Sequence, residues 1–200
     1  MASRLILASG SPQRRAILDL LGVAFEVVVP DVQEMDRGNP ADVAVENARL
    51  KALAVDQPDA LVIACDTLVA LDDRIFGKPA DEAQARQYLG ALAGNVHQVH
   101  SGLALVGKGG MRTAHVVTQV EFRPIEPELM DSYVATGEWE GRAGGCDIQG
   151  AGSALVKRID GDYLNVVGLP TDKLLELEPD LLSDFARPES SRPAWDKKQH

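Results

Sequence analysis

ALVIACDTLVAL, residues 60–71, is a nearly continuous apolar run. Apolar side chains on both alternating faces are typical of a strand that is buried on both sides, so this run predicts the central strand of a sheet. Asp66 and Thr67 interrupt it. An ionised carboxylate is costly in such a place unless it is paired or binds a metal. Asp66 therefore indicates either a strand end that opens into a cleft, where it would hold Mg²⁺ or activate water, or a cap on a neighbouring turn.

Strand and helix patterns alternate along the chain on both sides of this run, which predicts one α/β domain over residues 1–185. The predicted strands are 4–9, 25–30, 96–107, 114–125 and 154–159, with a short return strand within 72–79. The predicted helices are 14–22, 39–55, 81–94 and 126–137, and the stretch 166–178 leads into a last helix. In the first helix we expect one core face made of Ala16, Ile17, Leu20 and Leu21. The polar residues 186–200 predict a mobile tail.

Composition excludes several classes of protein. A net charge of −10 argues against a protein that holds duplex nucleic acid by neutralising phosphates. No segment reaches the roughly 18 apolar residues of a membrane span, so we expect a cytoplasmic protein that does not bind membranes. The two cysteines, Cys65 and Cys146, are far apart and form no CxxC pair, which argues against a disulfide scaffold or a zinc site.

The stretch LASGSPQRRAILDLLG, residues 7–22, is typical of an anion-binding helix start. Ser11 is a good N-cap and Pro12 a good first helical residue, and Gly10 lets backbone approach a ligand closely. Ser9 and Ser11 add hydroxyl groups, and Arg14 can bind phosphate oxygens in a fork. An ordinary capped helix with surface arginines would explain the same pattern.

Three more charged residues are candidates for a phosphate or metal site. Lys78 in FGKP and Lys51 on a predicted helix could reach a phosphate, or could be solvated surface. Glu34, in an acidic loop, is either a second metal ligand or a solvated charge. The cations, the capped helix start and the carboxylates together suit a metal-dependent hydrolase acting on a polyphosphate. The glycine-rich bend around Asp147 and Gln149 could bring backbone against a flat ligand, although turns are its commoner use.

Five ordered blocks resemble the Maf family of nucleoside triphosphate pyrophosphatases from about residue 4 to residue 178. They are Ser9, Ser11 and Arg14 in a Ser-x-Ser-x-x-Arg pattern, the Asp-Thr of ACDTLVAL, Gly-Lys-Pro at 77–79, AGGCDIQGAG at 143–152 and NVVGLP at 165–170. The resemblance implies an elongated mixed β-sheet flanked by helices, with two lobes and a central cleft. It also implies that a nucleoside triphosphate and water give the monophosphate and pyrophosphate.

By the same resemblance, Asp66 would be the catalytic acid that orients or deprotonates water. With Glu34 it would hold a divalent metal cation, Mg²⁺, Mn²⁺ or Co²⁺. Arg14, Lys51 and Lys78 would hold the triphosphate, together with Ser9 and the nearby backbone at Gly10 and Ser11. Dimers are common in such folds, so a homodimer is an expected assembly.

The positions that bear on base preference do not all match the same subgroup of the family. Thr67 and Gln149 match the subgroup that prefers dTTP and UTP rather than the subgroup acting on 7-methyl-GTP. Gln13, at a third position that bears on the substrate, matches neither subgroup, and Cys146-Asp147 departs from the usual Tyr-Gly. Two alternatives stay open: a pyrophosphatase with another base preference, and a nucleotide-sensing regulator of cell division or septum formation with little turnover.

Overall fold

A computed structural model describes residues 4–182. The predicted tail, 186–200, lies outside the described residues, and the single domain over 1–185 stays a prediction. The strands are β1 (Arg4–Ala8), β2 (Glu26–Val28), β3 (Ala60–Leu71), β4 (Arg74–Phe76), β5 (Val96–Gly107), β6 (Gly110–Phe122) and β7 (Val156–Asp160). The α-helices are α1 (Pro12–Leu20), α2 (Pro40–Leu53), α3 (Glu82–Leu92), α4 (Pro127–Val134), α5 (Tyr163–Val167) and α6 (Thr171–Leu177).

The seven strands form one mixed sheet in the order β2-β1-β3-β5-β6-β7, with β4 paired to β3 beside this path. β1 runs parallel to β2 and to β3, whereas β3, β5, β6 and β7 pair antiparallel in succession. The predicted mixed α/β architecture is therefore confirmed. β3 joins the parallel part of the sheet to the antiparallel part, as expected for the central strand.

β3 has the predicted bounds and is buried along nearly its whole length. Cys65 is fully buried in the core cluster with Leu7 and Leu103, which fits a small apolar side chain. Asp66 lies opposite Gly102 of β5, and Thr67 lies opposite Ser101. Two polar side chains thus sit in the middle of the sheet, where the neighbouring layer must supply their partners.

Helix α2 supplies part of that layer, and Gly102 allows it to pack closely. A Cβ atom at Gly102 would lie 2.1 Å from the carbonyl oxygen of Ala44, a distance that no side chain tolerates. Because the backbones of α2 and β5 touch here, Asn47 and Lys51, one and two turns further along α2, are held against Asp66.

Two helical regions differ from the prediction. Helix α1 begins at Pro12, and of its expected face Ile17 and Leu21 pack against the core, whereas Ala16 and Leu20 are exposed. The inward stripe instead adds Arg14 and Leu18, which with Ile17 and Leu21 follow the spacing i, i+3, i+4 and i+7. The predicted last helix is α6, which begins directly after Pro170, but the short helix α5 before it was not predicted.

Candidate active site

One cleft of about 1040 Å³ brings the predicted site residues together. Its lining includes every residue that the sequence analysis assigned to catalysis, substrate or metal: Ser9, Gly10, Ser11, Gln13, Arg14, Glu34, Lys51, Asp66, Thr67, Lys78 and Gln149. These residues come from α1, α2, β3 and four connecting segments. The sheet and its packed helices therefore create one site from segments that are far apart in the sequence.

Asp66 is the centre of a buried ion pair. Lys51 Nζ lies 2.6 Å from Asp66 Oδ1, and Asn47 Nδ2 donates to Asp66 Oδ2 at 3.0 Å. Both Asp66 and Lys51 are less than one tenth exposed. Asp66 is thus a satisfied carboxylate at the cleft wall, and the interpretation that it merely caps a turn is not supported, since its described partners are side chains of α2.

The same contacts set the protonation state of Asp66. Burial by itself raises the pKa of this carboxyl, but the charge of Lys51 and the hydrogen bonds from Lys51 and Asn47 outweigh burial. The pKa of Asp66 therefore lies below its ordinary value. Asp66 is ionised at neutral pH, as a metal ligand or a proton acceptor must be.

Glu34 lies beside this pair, and Lys51 Nζ is 3.0 Å from its Oε2. Two carboxylates therefore converge on one ammonium group. Within residues 4–182 there is no cluster of three or more His, Cys, Asp or Glu side chains that could hold a metal. Two carboxylates nevertheless fit Mg²⁺, which is commonly held by one or two carboxylates together with waters and substrate phosphates.

Arg14 is buried as deeply as Lys51 but has different partners. Its Nε donates to the carbonyl of Gly168 at 2.8 Å, and its two terminal nitrogens donate to Ser9 Oγ at 3.0 Å and Thr67 Oγ1 at 3.1 Å. Thr67 Oγ1 is also 2.9 Å from Ser101 Oγ. All of these partners are neutral, so the positive charge of Arg14 is not compensated by a hydrogen-bonded carboxylate.

The start of α1 has the predicted capped geometry. Ser11 is the N-cap and its Oγ accepts from the backbone N–H of Arg14 at 3.4 Å, while Pro12 takes the first helical position. The N–H of Ser11 itself donates to Ser9 Oγ at 3.2 Å. The positive end of the helix dipole therefore adds to the uncompensated charge of Arg14 at one end of the cleft.

The opposite rim is the bend at residues 141–152. Asp147 Oδ1 accepts from the backbone N–H of Gln149 at 3.0 Å, and a Cβ atom at Gly152 would lie 2.4 Å from the carbonyl oxygen of Asp147. The glycine therefore permits a tight fold of the backbone around Asp147. Gln149 is exposed on this bend, and Lys78 is exposed on the adjoining loop, where the carbonyl of Gly77 accepts from the N–H of Gly144 at 3.0 Å. Both residues line the cleft.

Three polar groups that hold the site residues in place were not predicted from the sequence. Asn47 holds Asp66, Ser101 holds Thr67, and the Gly168 carbonyl holds Arg14. Only Asn47 left a usable signal, because it lies four residues before Lys51 and so shares its helix face. A backbone carbonyl 154 residues from Arg14 leaves no such signal.

His97 and His100 lie three residues apart on β5, so alternation along the strand predicts that they point to opposite faces and make a poor metal pair. In the structure His97 is 3% exposed, lines the cleft and packs edge-on against Phe122. Its Nδ1 atom has no hydrogen-bond partner among the described residues. Burial lowers the pKa of His97 to about 4, so its ring is neutral at pH 7.

Residues 4–179 match the family model described as "Maf-like protein". This match spans most of the chain, and the chain belongs to that family. The relation agrees with the mixed α/β fold. No helix within residues 4–182 is both long enough and apolar enough to cross a membrane.

Two curated relatives show how far the similarity extends. The chain is 44% identical over 179 residues to a protein of Deinococcus radiodurans named "dTTP/UTP pyrophosphatase", covering 88% of this chain and 92% of that protein. It is 42% identical over 176 residues to a protein of Bacillus cereus (strain AH820) with the same name, covering 86% and 92%. The family match over residues 4–179 includes every residue that lines the cleft.

Proposed function

We propose that this protein is a nucleoside triphosphate pyrophosphatase that hydrolyses dTTP and UTP to the monophosphate and pyrophosphate. The observation that carries the proposal is the pairing, in one cleft, of an ionised buried carboxylate with a buried arginine whose partners are all neutral. The first can act on water and the second can bind phosphate. The printed activity of the relatives supplies the substrate class.

In this proposal the triphosphate binds near the start of α1. Arg14 presents an uncompensated guanidinium, and Ser9 and Ser11 lie at the positive end of the helix dipole. Lys78, exposed on the loop beside the bend at 141–152, is proposed to reach a phosphate as well. Lys51 contributes its charge once its carboxylate partners are shared with a metal.

Asp66 is proposed as the group that orients water and accepts its proton. The hydrogen bonds from Lys51 and Asn47 fix the direction of the carboxylate, so its lone pairs are aimed before substrate arrives. Asp66 and Glu34 are also proposed to hold a divalent cation, Mg²⁺, Mn²⁺ or Co²⁺. When bound, this cation would act as a Lewis acid on the phosphate oxygens.

Base selection is proposed to lie with Gln149 and Thr67. The amide of Gln149 is exposed on the bend at the rim, where it can donate to and accept from the edge of a pyrimidine. Thr67 lies deeper and its hydroxyl contacts Arg14 and Ser101. Thr67 would therefore affect the base through the position of the nucleotide as well as by direct contact.

The finer features of the architecture are part of the same proposal. We expect an elongated form with two lobes on either side of the cleft, within one domain over residues 1–185. We also expect a homodimer that acts in the cytoplasm on free nucleotides.

A screen of pyrophosphate release tests the proposal. The chain would be incubated with the canonical NTPs and dNTPs and with 7-methyl-GTP, in Mg²⁺, Mn²⁺ or Co²⁺, and both products would be identified by anion-exchange chromatography. Equal amounts of UMP and pyrophosphate from UTP, with dTTP as the other preferred substrate, are expected. Release of orthophosphate and UDP would contradict the proposed bond cleavage, and a maximum on another base would contradict the pyrimidine assignment. Nucleotide binding without product would favour the regulator.

A further inference from the structure

Arg142 bridges the two rims of the cleft. Its Nε donates to Asp147 Oδ2 at 2.9 Å, and one terminal nitrogen lies 2.8 Å from the same oxygen. The Gln13 amide satisfies its neighbours when its oxygen faces Arg142: the oxygen then accepts from both terminal nitrogens at 2.7 and 2.5 Å, and the amide nitrogen donates to Ser11 Oγ at 3.2 Å. Arg142 thus connects the first turn of α1 to the bend at 141–152.

The two edges of the Arg142 guanidinium have unequal partners. The edge formed by Nε and one terminal nitrogen meets a carboxylate, whereas the edge formed by the two terminal nitrogens meets a neutral amide oxygen. The positive charge of a guanidinium attracts an anionic oxygen more strongly than a neutral amide oxygen, and its fork suits a phosphate. The amide of Gln13 is therefore the partner that an anionic ligand can displace.

The carboxylate that holds the other edge is itself fixed. The backbone N–H of Asp147 donates to Tyr133 Oη at 3.0 Å, and Tyr133 Oη donates to the carbonyl of Gly145 at 3.1 Å. Tyr133 is 2% exposed. Asp147 therefore stays in place when the opposite edge of Arg142 changes partner, and Arg142 needs no large movement to bind a ligand.

We propose that Arg142 is a substrate-binding residue that takes phosphate oxygens of the triphosphate on the edge now held by Gln13. Arg142 and Gln13 both line the cleft that also holds Arg14 and Lys51. This inference rests on the proposed function, because that function places a triphosphate near the start of α1. The competing explanation is a strut, in which the contact between Gln13 and Arg142 only joins the two rims.

Binding of inorganic tripolyphosphate separates the two explanations, because this probe carries the phosphates without a base. Its affinity would be measured by isothermal titration calorimetry with the full chain. We expect Arg142→Gln to weaken binding about tenfold, the loss of one charge-assisted contact, and Arg142→Lys to weaken it less. Arg15→Gln is the matched control, because Arg15 is an exposed arginine on α1 that does not line the cleft. The affinity of this variant for tripolyphosphate should stay within about twofold of that of wild type.

Variants of Gln13 make the distinction sharper. Gln13→Ala removes the competing amide, so tripolyphosphate should bind at least as tightly as to wild type. Gln13→Glu places a carboxylate on the same edge, which phosphate displaces less readily, so binding should weaken by about tenfold. A strut predicts instead that Gln13→Ala and Arg142→Gln weaken binding equally, and that result would overturn the inference.

The remaining outcomes are also decisive. Equal binding by wild type and a folded Arg142→Gln variant would overturn the inference, as would wild type that does not bind tripolyphosphate. With UTP as substrate, Arg142→Gln should raise KM more than it lowers kcat, a split that general loss of structure does not produce. If wild type released no pyrophosphate from any nucleotide, the proposed function would fail, while tripolyphosphate binding would still test Arg142.

Discussion

Arg14 and Lys51 are two buried cations of one cleft, each 8% exposed, and they are held in opposite ways. Arg14 donates to a carbonyl and two hydroxyl groups, all neutral. Lys51 lies between the carboxylates of Asp66 and Glu34. Burial costs both side chains hydration, but only Lys51 is paired directly with carboxylates, whereas Arg14 has only the longer-range attraction of Asp66.

The different partners indicate different roles for Arg14 and Lys51, although both are buried cations. The charge of Arg14 is left available, so an anion entering the cleft completes its environment. The charge of Lys51 is already used, because it keeps Asp66 ionised and in position. A positive residue in a phosphate site can therefore serve the carboxylate rather than the phosphate, and its partners in the structure show which.

Replacing Asp66 should have the largest effect, because it removes the proposed proton acceptor and leaves Lys51 with one carboxylate partner, Glu34, instead of two. We expect Asp66→Asn to lower kcat for UTP by roughly 10²–10⁴-fold, since the amide cannot accept the proton of water. Tripolyphosphate binding should at the same time become tighter, because Lys51 loses a carboxylate partner. Steady-state kinetics and calorimetry measure the two effects. Asp73→Asn, on the exposed turn between β3 and β4, is the control and should change neither; near-normal turnover by Asp66→Asn would remove Asp66 from the mechanism.

Stability distinguishes the two cations directly. Lys51→Met should lower the free energy of unfolding by about 3 kcal/mol, because the buried Asp66 charge loses its main partner. Arg14→Met should cost only about 1–2 kcal/mol, because it leaves neutral groups unpaired. Urea unfolding at pH 7 would measure both.

Mg²⁺ provides the control for this pair of variants. The cation should stabilise Lys51→Met more than wild type, because Asp66 and Glu34 have lost their neutralising partner, and it should stabilise Arg14→Met no more than wild type. Equal losses in the two variants, with no effect of Mg²⁺ on either, would show that the ion pair does not have the role assigned to it.

His97 is a third buried basic group in the cleft. Its Nδ1 atom has neither a carboxylate nor a neutral hydrogen-bond partner among the described residues. Burial lowers its pKa from 6.5 to about 4. The unfolded chain then takes up a proton near pH 6.5 and the folded chain only near pH 4, so stability is lost as the pH falls between these values. At pH 5 this loss amounts to roughly 2 kcal/mol.

The measurement is urea unfolding of wild type and His97→Gln at pH 7 and pH 5. Other groups that titrate in this range affect both proteins, so the difference between them isolates His97. We expect wild type to lose roughly 2 kcal/mol more than the variant between the two pH values. Equal losses in the two proteins would mean that the pKa of His97 is the same in the folded protein as in the unfolded chain.

Much of the fold could be predicted from local patterns. The apolar run at 60–71 gave β3 with the observed bounds, and Ser11-Pro12 gave the start of α1 once the cap is counted as the boundary. The helix face was wrong at Ala16 and Leu20, because the inward stripe includes the polar Arg14, which an apolar pattern does not count. The last helix, α6, was predicted, but the short helix α5 before it was missed.

The candidate site divides in the same way. Asp66 could be singled out because an acid inside an apolar run needs a partner, and Ser11 and Arg14 because they lie within one helical turn. The partners could not be predicted, since Lys51 with Asp66, Arg14 with Gly168 and Arg142 with Gln13 lie on separate elements.

The sequence by itself determined where strands and helices form, which carboxylate would be buried, and where the first helix would present its N–H groups. These depend on neighbours within a few residues, through side-chain periodicity and capping. The sequence pattern does not show that Lys51 is paired with carboxylates while Arg14 is left for a ligand; this follows from the tertiary structure. That outcome depends on which groups meet when α2 packs against Gly102 and the Gly168 carbonyl reaches Arg14, contacts between residues far apart in the chain.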